Sequence, residues 1–323
     1  MIKIADMRKI KSSLKDPECF YYPNNEEFDK TEIRKCVFED TKKRLRMKKY
    51  KTSVNIPQVI SDDDCNDENL QKTVEKFDFG DTPEGQWFPS ENRTVEADPI
   101  VSIVDKDCIE VTKALARIYS EDEVAMLNMA NSEQPGGHYL IGQIAQEESI
   151  FFRTNIYKFL DPECNSGSPD AKHEHYPLPK IGGLYVPRVL SIRKGENAKY
   201  RLCKAAHINV ICVSGLDMRN AGVYFPERHG IVIKNKIRTI FRIAIEKKQT
   251  VLVLGALGCG AFENDPIVVA NFFKEVLEET KGFFKAVVFS IISSNPSKYI
   301  HAYALFKYNC LFNAFHASYS HLL

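Results

Sequence analysis

The chain has 323 residues, 44% of them hydrophobic and 27% charged, a composition suited to a globular core domain plus an extension. Its formal net charge of +1 excludes the global basic excess that draws a protein to nucleic acid, so any charged partner must be met locally. No run of about 18 apolar residues is present to make a membrane helix, and the charged opening "MIKIADMRKIKSSLKD" does not read as a signal peptide.

Nine cysteines are scattered along the chain with no CxxC pair, and several lie in apolar runs, such as Cys212 in "INVICVSG". That usage predicts reduced thiols and an intracellular setting, cytoplasmic or nuclear, without a disulfide framework.

In chain order, residues 1 to about 30 carry no clear periodicity. Residues 29–50 read as a helix with a strongly basic end at Lys42, Lys43, Arg44, Arg46, Lys48 and Lys49. That end is either a polyanion or nuclear-localisation patch or a solvated face whose cations suit a helix C-terminus, the second being preferred. The acidic, Gly- and Pro-containing stretches 61–71 and 78–99 read as loops. From residue 100 the texture changes. Apolar, β-branched runs at 100–104, 124–130, 208–214, 250–255 and 286–292 read as strands, and they alternate with helical patterns near 107–119, 144–160, 229–247 and 266–280. Continuous apolar strands separated by helices predict an α/β fold with a largely parallel sheet covered on both faces. The stretch 161–200 is expected to be irregular, as a lid or an insert. Within it, His173, Glu174 and His175 lack further ligands at a fitting spacing and read as exposed loop, with no metal implied. The expected division is an N-terminal accessory region, 1–98, and a catalytic domain, 99–323.

Two glycine-containing turns follow strands: "NMANSEQPGGH" (128–138) and "LGALGCGAFEND" (254–265). Ligands collect at the C-terminal ends of strands in α/β sheets, and glycines let backbone amides approach a diphosphate closely. The spacing matches neither a P-loop nor the dinucleotide-binding fingerprint, so tight strand-to-helix packing explains such a turn as well. Glu147 and Glu148 open a helical pattern, where carboxylates are favoured by the helix dipole alone. Adjacent helical residues point about 100° apart, so the two glutamates cannot share one task. Asp107 reads equally as an adenine contact and as a helix N-cap.

The segment "ANSEQPGGHYLIGQIAQEES", followed by "NIY", resembles the signature of the bacterial-type poly(ADP-ribose) glycohydrolases of the macrodomain superfamily. "RKCVFEDTKKRLRMKKY" is similar to that family's N-terminal accessory helix, "YVPRVLSIR" (185–193) to its Tyr-x-Pro segment, and "VLVLGALGCGAFENDPIVVANFF" (251–273) to its second phosphate loop. The matches keep their order over roughly residues 31 to 312. The resemblance implies a three-layer α/β/α macrodomain with a mixed, largely parallel sheet and an N-terminal helical extension. It implies hydrolysis of the ribose–ribose O-glycosidic bond of poly(ADP-ribose), with no cofactor and no metal.

By position, Glu148 matches the catalytic glutamate and Glu147 its ribose-orienting partner, Gln146 being the first of the Gln-Glu-Glu triplet. Asn131 matches a ribose-contacting asparagine, and Gly136 and Gly137 the glycine loop around ribose and diphosphate. Gly258, Cys259, Gly260, Ala261 and Phe262 match the second phosphate loop, with Phe262 near the distal ribose. His138 stands where the family has a third glycine. There it either narrows the loop and strains the backbone or adds a donor to the diphosphate. A second departure is "SGLDMRN" (214–220), where the family shows small residues and proline. The expected partner is ADP-ribose polymer or ADP-ribosylated protein. The alternatives are a mono-ADP-ribosyl-protein hydrolase and a non-catalytic ADP-ribose reader. Binding of nucleic acid through residues 42–51 ranks last, because no aromatics are interleaved with the cations.

Overall fold

Apolar runs bounded by turn residues form most of the elements expected of them. The structure, a computed structural model, describes residues 29–52, 54, 56–90, 95, 98–166 and 174–292. Its elements begin with α1 (Lys30–Met47), the short strands β1 (Lys49–Lys51) and β2 (Pro57–Val59), α2 (Asp67–Lys72) and β3 (Glu75–Asp78). Then come β4 (Ile100–Val104), α3 (Cys108–Ile118), β5 (Val124–Met129), α4 (Gln146–Arg153), α5 (Ile156–Leu160) and α6 (Pro162–Ser166). They continue with β6 (Gly182–Arg193), β7 (Leu202–Val213), α7 (Ile231–Glu246), β8 (Val251–Leu254), α8 (Pro266–Glu279) and β9 (Ala286–Ser290).

The described residues fall into two compact units. The first takes them from Met1–Val74, Gln134–Tyr176 and Val186–His207, the second from Glu75–Glu133, Pro177–Tyr185 and Ile208–Leu323.

The second unit is organised by a seven-stranded mixed sheet in the order β3-β6-β7-β5-β8-β9-β4. β7, β5, β8, β9 and β4 are successive parallel neighbours, and β3 pairs antiparallel with the start of β6. Side chains alternate across a strand, so each apolar run supplies two faces. Ala125, Leu127, Ile211, Val213, Leu252, Leu254, Val287 and Phe289 share one core with Ile237, Ile240 and Phe241 of α7 and Phe273 of α8. Helix α3 packs on β5 and β8. Helices therefore flank the sheet, giving the expected three layers.

The first unit is built on α1, whose start is capped by the Asp29 carboxylate accepting from the Thr31 N–H. Phe38 meets Tyr139 and Tyr157 edge-on, and Tyr139 packs against Phe151. Beneath lies a buried charged network. Asp40 accepts from Arg44 and from Arg193, and Arg193 also donates to Thr41 Oγ1 and to the Tyr200 carbonyl. Arg44 thereby leaves the basic patch expected at residues 42–49. Lys42 pairs with Glu39 and Lys48 with Asp62, while Lys43, Arg46 and Lys49 are exposed.

Three expectations need correction. The stretch 61–71 is not a loop throughout, because α2 starts at Asp67, its N-cap Asn66 accepting from the Asn69 N–H. The stretch 161–200 is not irregular throughout, because β6 fills 182–193. Gly182, Gly183 and Pro187 hide the strand in its composition, and Arg188 at φ 52° interrupts the extended backbone. The helix expected over 144–160 is two helices. Thr154 turns extended and forms an isolated bridge with Ser191, and the Asn155 side chain accepts from the Leu190 N–H and donates to the Asp64 carbonyl. His173 lies outside the described residues; Glu174 is exposed and His175 half-buried.

Candidate active site

The glycine turn and the two glutamates are joined directly. The Gly136 N–H donates to Glu147 Oε1 at 3.1 Å, and the His138 N–H donates to Glu148 Oε1 at 3.1 Å. Glu148 Oε2 accepts from the Ala145 N–H at 3.0 Å, one half of a capping box that closes the start of α4. The Gln134 side chain donates to the Gly137 carbonyl and braces the turn. Both glutamates are buried, at 4% and 7% exposure. A buried carboxylate must have its hydrogen bonds supplied, and here main-chain amides supply them. Gln146 is half-buried at the helix start.

This close approach depends on glycine. Gly136 and Gly137 have φ of 74° and 55°, the left-handed region. A Cβ on Gly137 would lie 2.6 Å from Glu148 Oε1 and 3.5 Å from Glu147 Oε2; one on Gly136 would meet the rings of Tyr139 and Phe151. His138 has φ −109° and ψ 30°. Its backbone therefore carries none of the strain that a third glycine would be needed to relieve. Its side chain is exposed, and only its N–H is tied to Glu148.

Behind the turn, Tyr139 is 1% exposed and donates its hydroxyl to Asp161 Oδ2 at 2.5 Å. Burial, reinforced by the Asp161 carboxylate, pushes the phenol far above its ordinary range, so Tyr139 remains a neutral donor.

The second turn, 255–265, joins β8 to α8, whose N-terminus is capped by the Asp265 carboxylate accepting from the Ile267 N–H. The Asn264 side chain holds the turn together, its Nδ2 donating to the Leu216 carbonyl at 2.7 Å and to the Gly258 carbonyl at 3.0 Å. Gly258 has φ 73°, and a Cβ there would lie 2.5 Å from Asn264 Nδ2. Burial pushes the Cys259 thiol up, with the nearby Asp265 carboxylate adding to it, so Cys259 stays protonated. Gly260 and Phe262 are half-buried and Ala261 exposed. The divergent segment 214–220 packs onto this turn. The Met218 N–H donates to the Phe262 carbonyl at 3.0 Å, and Arg219 lies over the Phe262 ring with its guanidinium paired to Asp217.

Asn131 follows β5, and its Oδ1 accepts from the Glu133 N–H. Asp107 caps α3 by accepting from the Glu110 N–H, as its N-cap reading requires. Among the described residues no group of three His, Cys, Asp or Glu side chains is arranged to hold a metal ion, and no helix is long and apolar enough to cross a membrane.

The model of a protein family described as the catalytic domain of microbial-type poly(ADP-ribose) glycohydrolase matches residues 14–194, more than half of the chain. The chain belongs to this family. No curated protein matches it. Among solved structures it is similar to the poly(ADP-ribose) glycohydrolase of Thermomonospora curvata, at 22% identity and a TM-score of 0.68 over 85% of this chain and 98% of that one. The same protein bound to the inhibitor ADP-HPD matches at 22% identity and a TM-score of 0.64, over 84% and 97%. The enzyme of Deinococcus radiodurans in complex with ADP-ribose matches at 24% identity and a TM-score of 0.59, over 76% and 96%. These likenesses share the family's fold.

The family match spans α1, the first glycine turn, the Gln146-Glu147-Glu148 triplet and β6, and stops short of the second turn. Sequence reasoning missed the groups that brace both turns. Gln134, Tyr139, Asp161 and Asn264 have no signature of their own, since each acts through a partner that only the folded chain brings near.

Proposed function

We propose that this chain hydrolyses the ribose–ribose O-glycosidic bond of poly(ADP-ribose) and releases ADP-ribose, with Glu148 as general acid and base. The observation that carries this reading is the seating of Glu148. Each of its carboxylate oxygens accepts one main-chain N–H, from His138 and from Ala145, while Gly137 leaves Oε1 uncovered by any side chain of its own. A carboxylate offers about four lone-pair sites, so two remain for a substrate. Membership of the glycohydrolase family and likeness to structures holding ADP-ribose or ADP-HPD support the same substrate class.

In this mechanism the protonated Glu148 gives its proton to the bridging oxygen as the bond from that oxygen to the anomeric carbon breaks. An oxocarbenium-like ribose forms, and water adds to it while the Glu148 carboxylate takes the water's proton. One water is consumed and the carboxyl group is regenerated. Glu147 orients the ribose hydroxyls, and it is held for that by the Gly136 N–H. By the family resemblance Asn131 is assigned a ribose contact, Gly136, Gly137 and His138 the ribose and diphosphate, and the turn from Gly258 to Phe262 a phosphate contact. Positioning and proton transfer carry the chemistry.

Residues 99–323 are assigned as the catalytic domain and residues 1–98 as the accessory region. Polymer and ADP-ribosylated protein are the partners. An intracellular setting, cytoplasmic or nuclear, is assigned from the scattered cysteine usage without a CxxC pair. The test is chromatography of ADP-ribose released from purified poly(ADP-ribose) and from mono-ADP-ribosylated protein, with wild type beside Glu148→Ala. Release from polymer that disappears in the variant is expected. Absence of release from both substrates by the wild type would overturn the reading.

A further inference from the structure

Helix α7 carries a row of cations, and nearly all of them are answered by carboxylates. Lys234 pairs with Glu275 and Glu279, Arg238 with Glu84 and Glu279, and Arg242 with Glu246. Lys236 is different. It is 5% exposed and has no carboxylate partner among the described residues. Its Nζ donates to Ser214 Oγ at 3.0 Å, a side chain itself 2% exposed. Burying a cation against a single neutral hydroxyl is costly unless a further charge completes the site.

The direction of the hydrogen bond matters. A lysine ammonium can only donate, so Ser214 Oγ must accept, and the serine's own O–H turns away from Lys236. No acceptor for that O–H occurs among the described residues. Ser214 immediately follows β7 and precedes Gly215, where a Cβ would lie 2.9 Å from Gly258 Cα and 3.2 Å from Phe262 Cδ2. The free hydroxyl proton thus belongs to a turn in contact with the second glycine turn, and a buried positive charge stands behind it.

We propose that Lys236 and Ser214 form a cation-backed hydroxyl donor for a phosphate oxygen of the diphosphate held at the second glycine turn. This rests on the ADP-ribose reading and adds to it the source of the positive charge, which the glycine turn itself lacks. A hydroxyl polarised by an ammonium is a stronger donor than a serine alone, and its acceptor is an anion. Burial, with the Lys180 charge adding to it, lowers Lys236 to about 8. Lys180, from the segment before β6, is the charged group that bears on it from another element; Lys234 and Arg238 of its own helix are paired elsewhere. A bound diphosphate favours the protonated amine, so ligand binding draws in a proton at alkaline pH.

The experiment is calorimetric titration of the full chain with ADP-ribose at pH 7 and pH 9, repeated at pH 8.5 in two buffers of different ionisation enthalpy. The proteins are wild type, Lys236→Met and Ser214→Ala. Wild type should bind more weakly at pH 9 than at pH 7 and take up protons. Both variants should lose about tenfold in affinity at pH 7, and Lys236→Met should show no proton uptake. A lysine that served packing alone would leave proton uptake absent in the wild type. Variants that bind within twofold of a wild type that does bind would overturn the relay and leave the glycohydrolase reading standing. A wild type that binds no ADP-ribose would overturn both. If Lys236→Met fails to fold, Ser214→Ala decides the affinity and the wild type decides the proton uptake.

Discussion

Gly137→Ala separates the backbone demand of the glycine turn from its contact with the glutamates. Gly137 sits at φ 55°, so any side chain there pays about 1–2 kcal/mol of left-handed strain. The added methyl also falls 2.6 Å from Glu148 Oε1, about 0.8 Å inside the 3.4 Å at which ordinary contact begins. The carboxylate has no easy retreat, because it is buried and tied to the His138 and Ala145 amides. Relief therefore displaces the group proposed to transfer the proton, and a shift approaching 1 Å costs roughly 100-fold in rate. Gly85→Ala is the matched control, with φ 83° and nothing within 4 Å of the added methyl. It should pay the strain alone. The assay is kcat for ADP-ribose release from poly(ADP-ribose), with melting temperature measured on the same samples. Both variants should melt a few degrees lower, while only Gly137→Ala should lose kcat, on the order of 100-fold. Equal melting losses with a Gly137→Ala kcat within twofold of wild type would refute the contact argument.

Asp40→Ala leaves Arg44 and the fully buried Arg193 without their shared carboxylate and should destabilise the first unit by about 3–5 kcal/mol in denaturant unfolding. Gly258→Ala at φ 73° drives a methyl into Asn264 and should weaken ADP-ribose binding in calorimetry, with Asn264→Ala doing the same by freeing the turn. The Lys236 amine, held near 8 by burial, binds fewer protons folded than unfolded between about pH 8 and its ordinary range near 10.4. Stability of the ligand-free chain should therefore rise with pH through that window. Lys236→Met should abolish this rise and gain up to about 3 kcal/mol below pH 8, read from denaturant midpoints at pH 7 and pH 10.

The parts of this protein that depend on local order along the chain were legible in its sequence. β-branched runs at 100–104, 124–129 and 251–254 are strands because their side chains suit a sheet buried on both faces. The glycine turn and the triplet at 146–148 were readable because their chemistry lies within a dozen residues. What failed did so because contacts distant in sequence overrode the local pattern. Gly182, Gly183 and Pro187 disguise β6, whose pairing with β3 outweighs its poor propensity. Thr154 breaks a continuous helical pattern because Ser191, far along the chain, offers it a bridge.

Tertiary structure alone decided the rest, because hydrogen bonds and charge compensation act across space without regard to spacing. No pattern announces that Asp40 must serve both Arg44 and Arg193, or that Tyr139 will reach Asp161. The sign of φ at His138 follows from how the turn meets Glu148, and it settles a question of strain that the residue's identity left open. Lys236 looks like any other cation on α7 until the fold buries it against Ser214. Sequence by itself determined which groups are available for the chemistry. Folding determined which backbone amides, carboxylates and cations hold those groups in place, since that depends on distances between residues far apart in the chain.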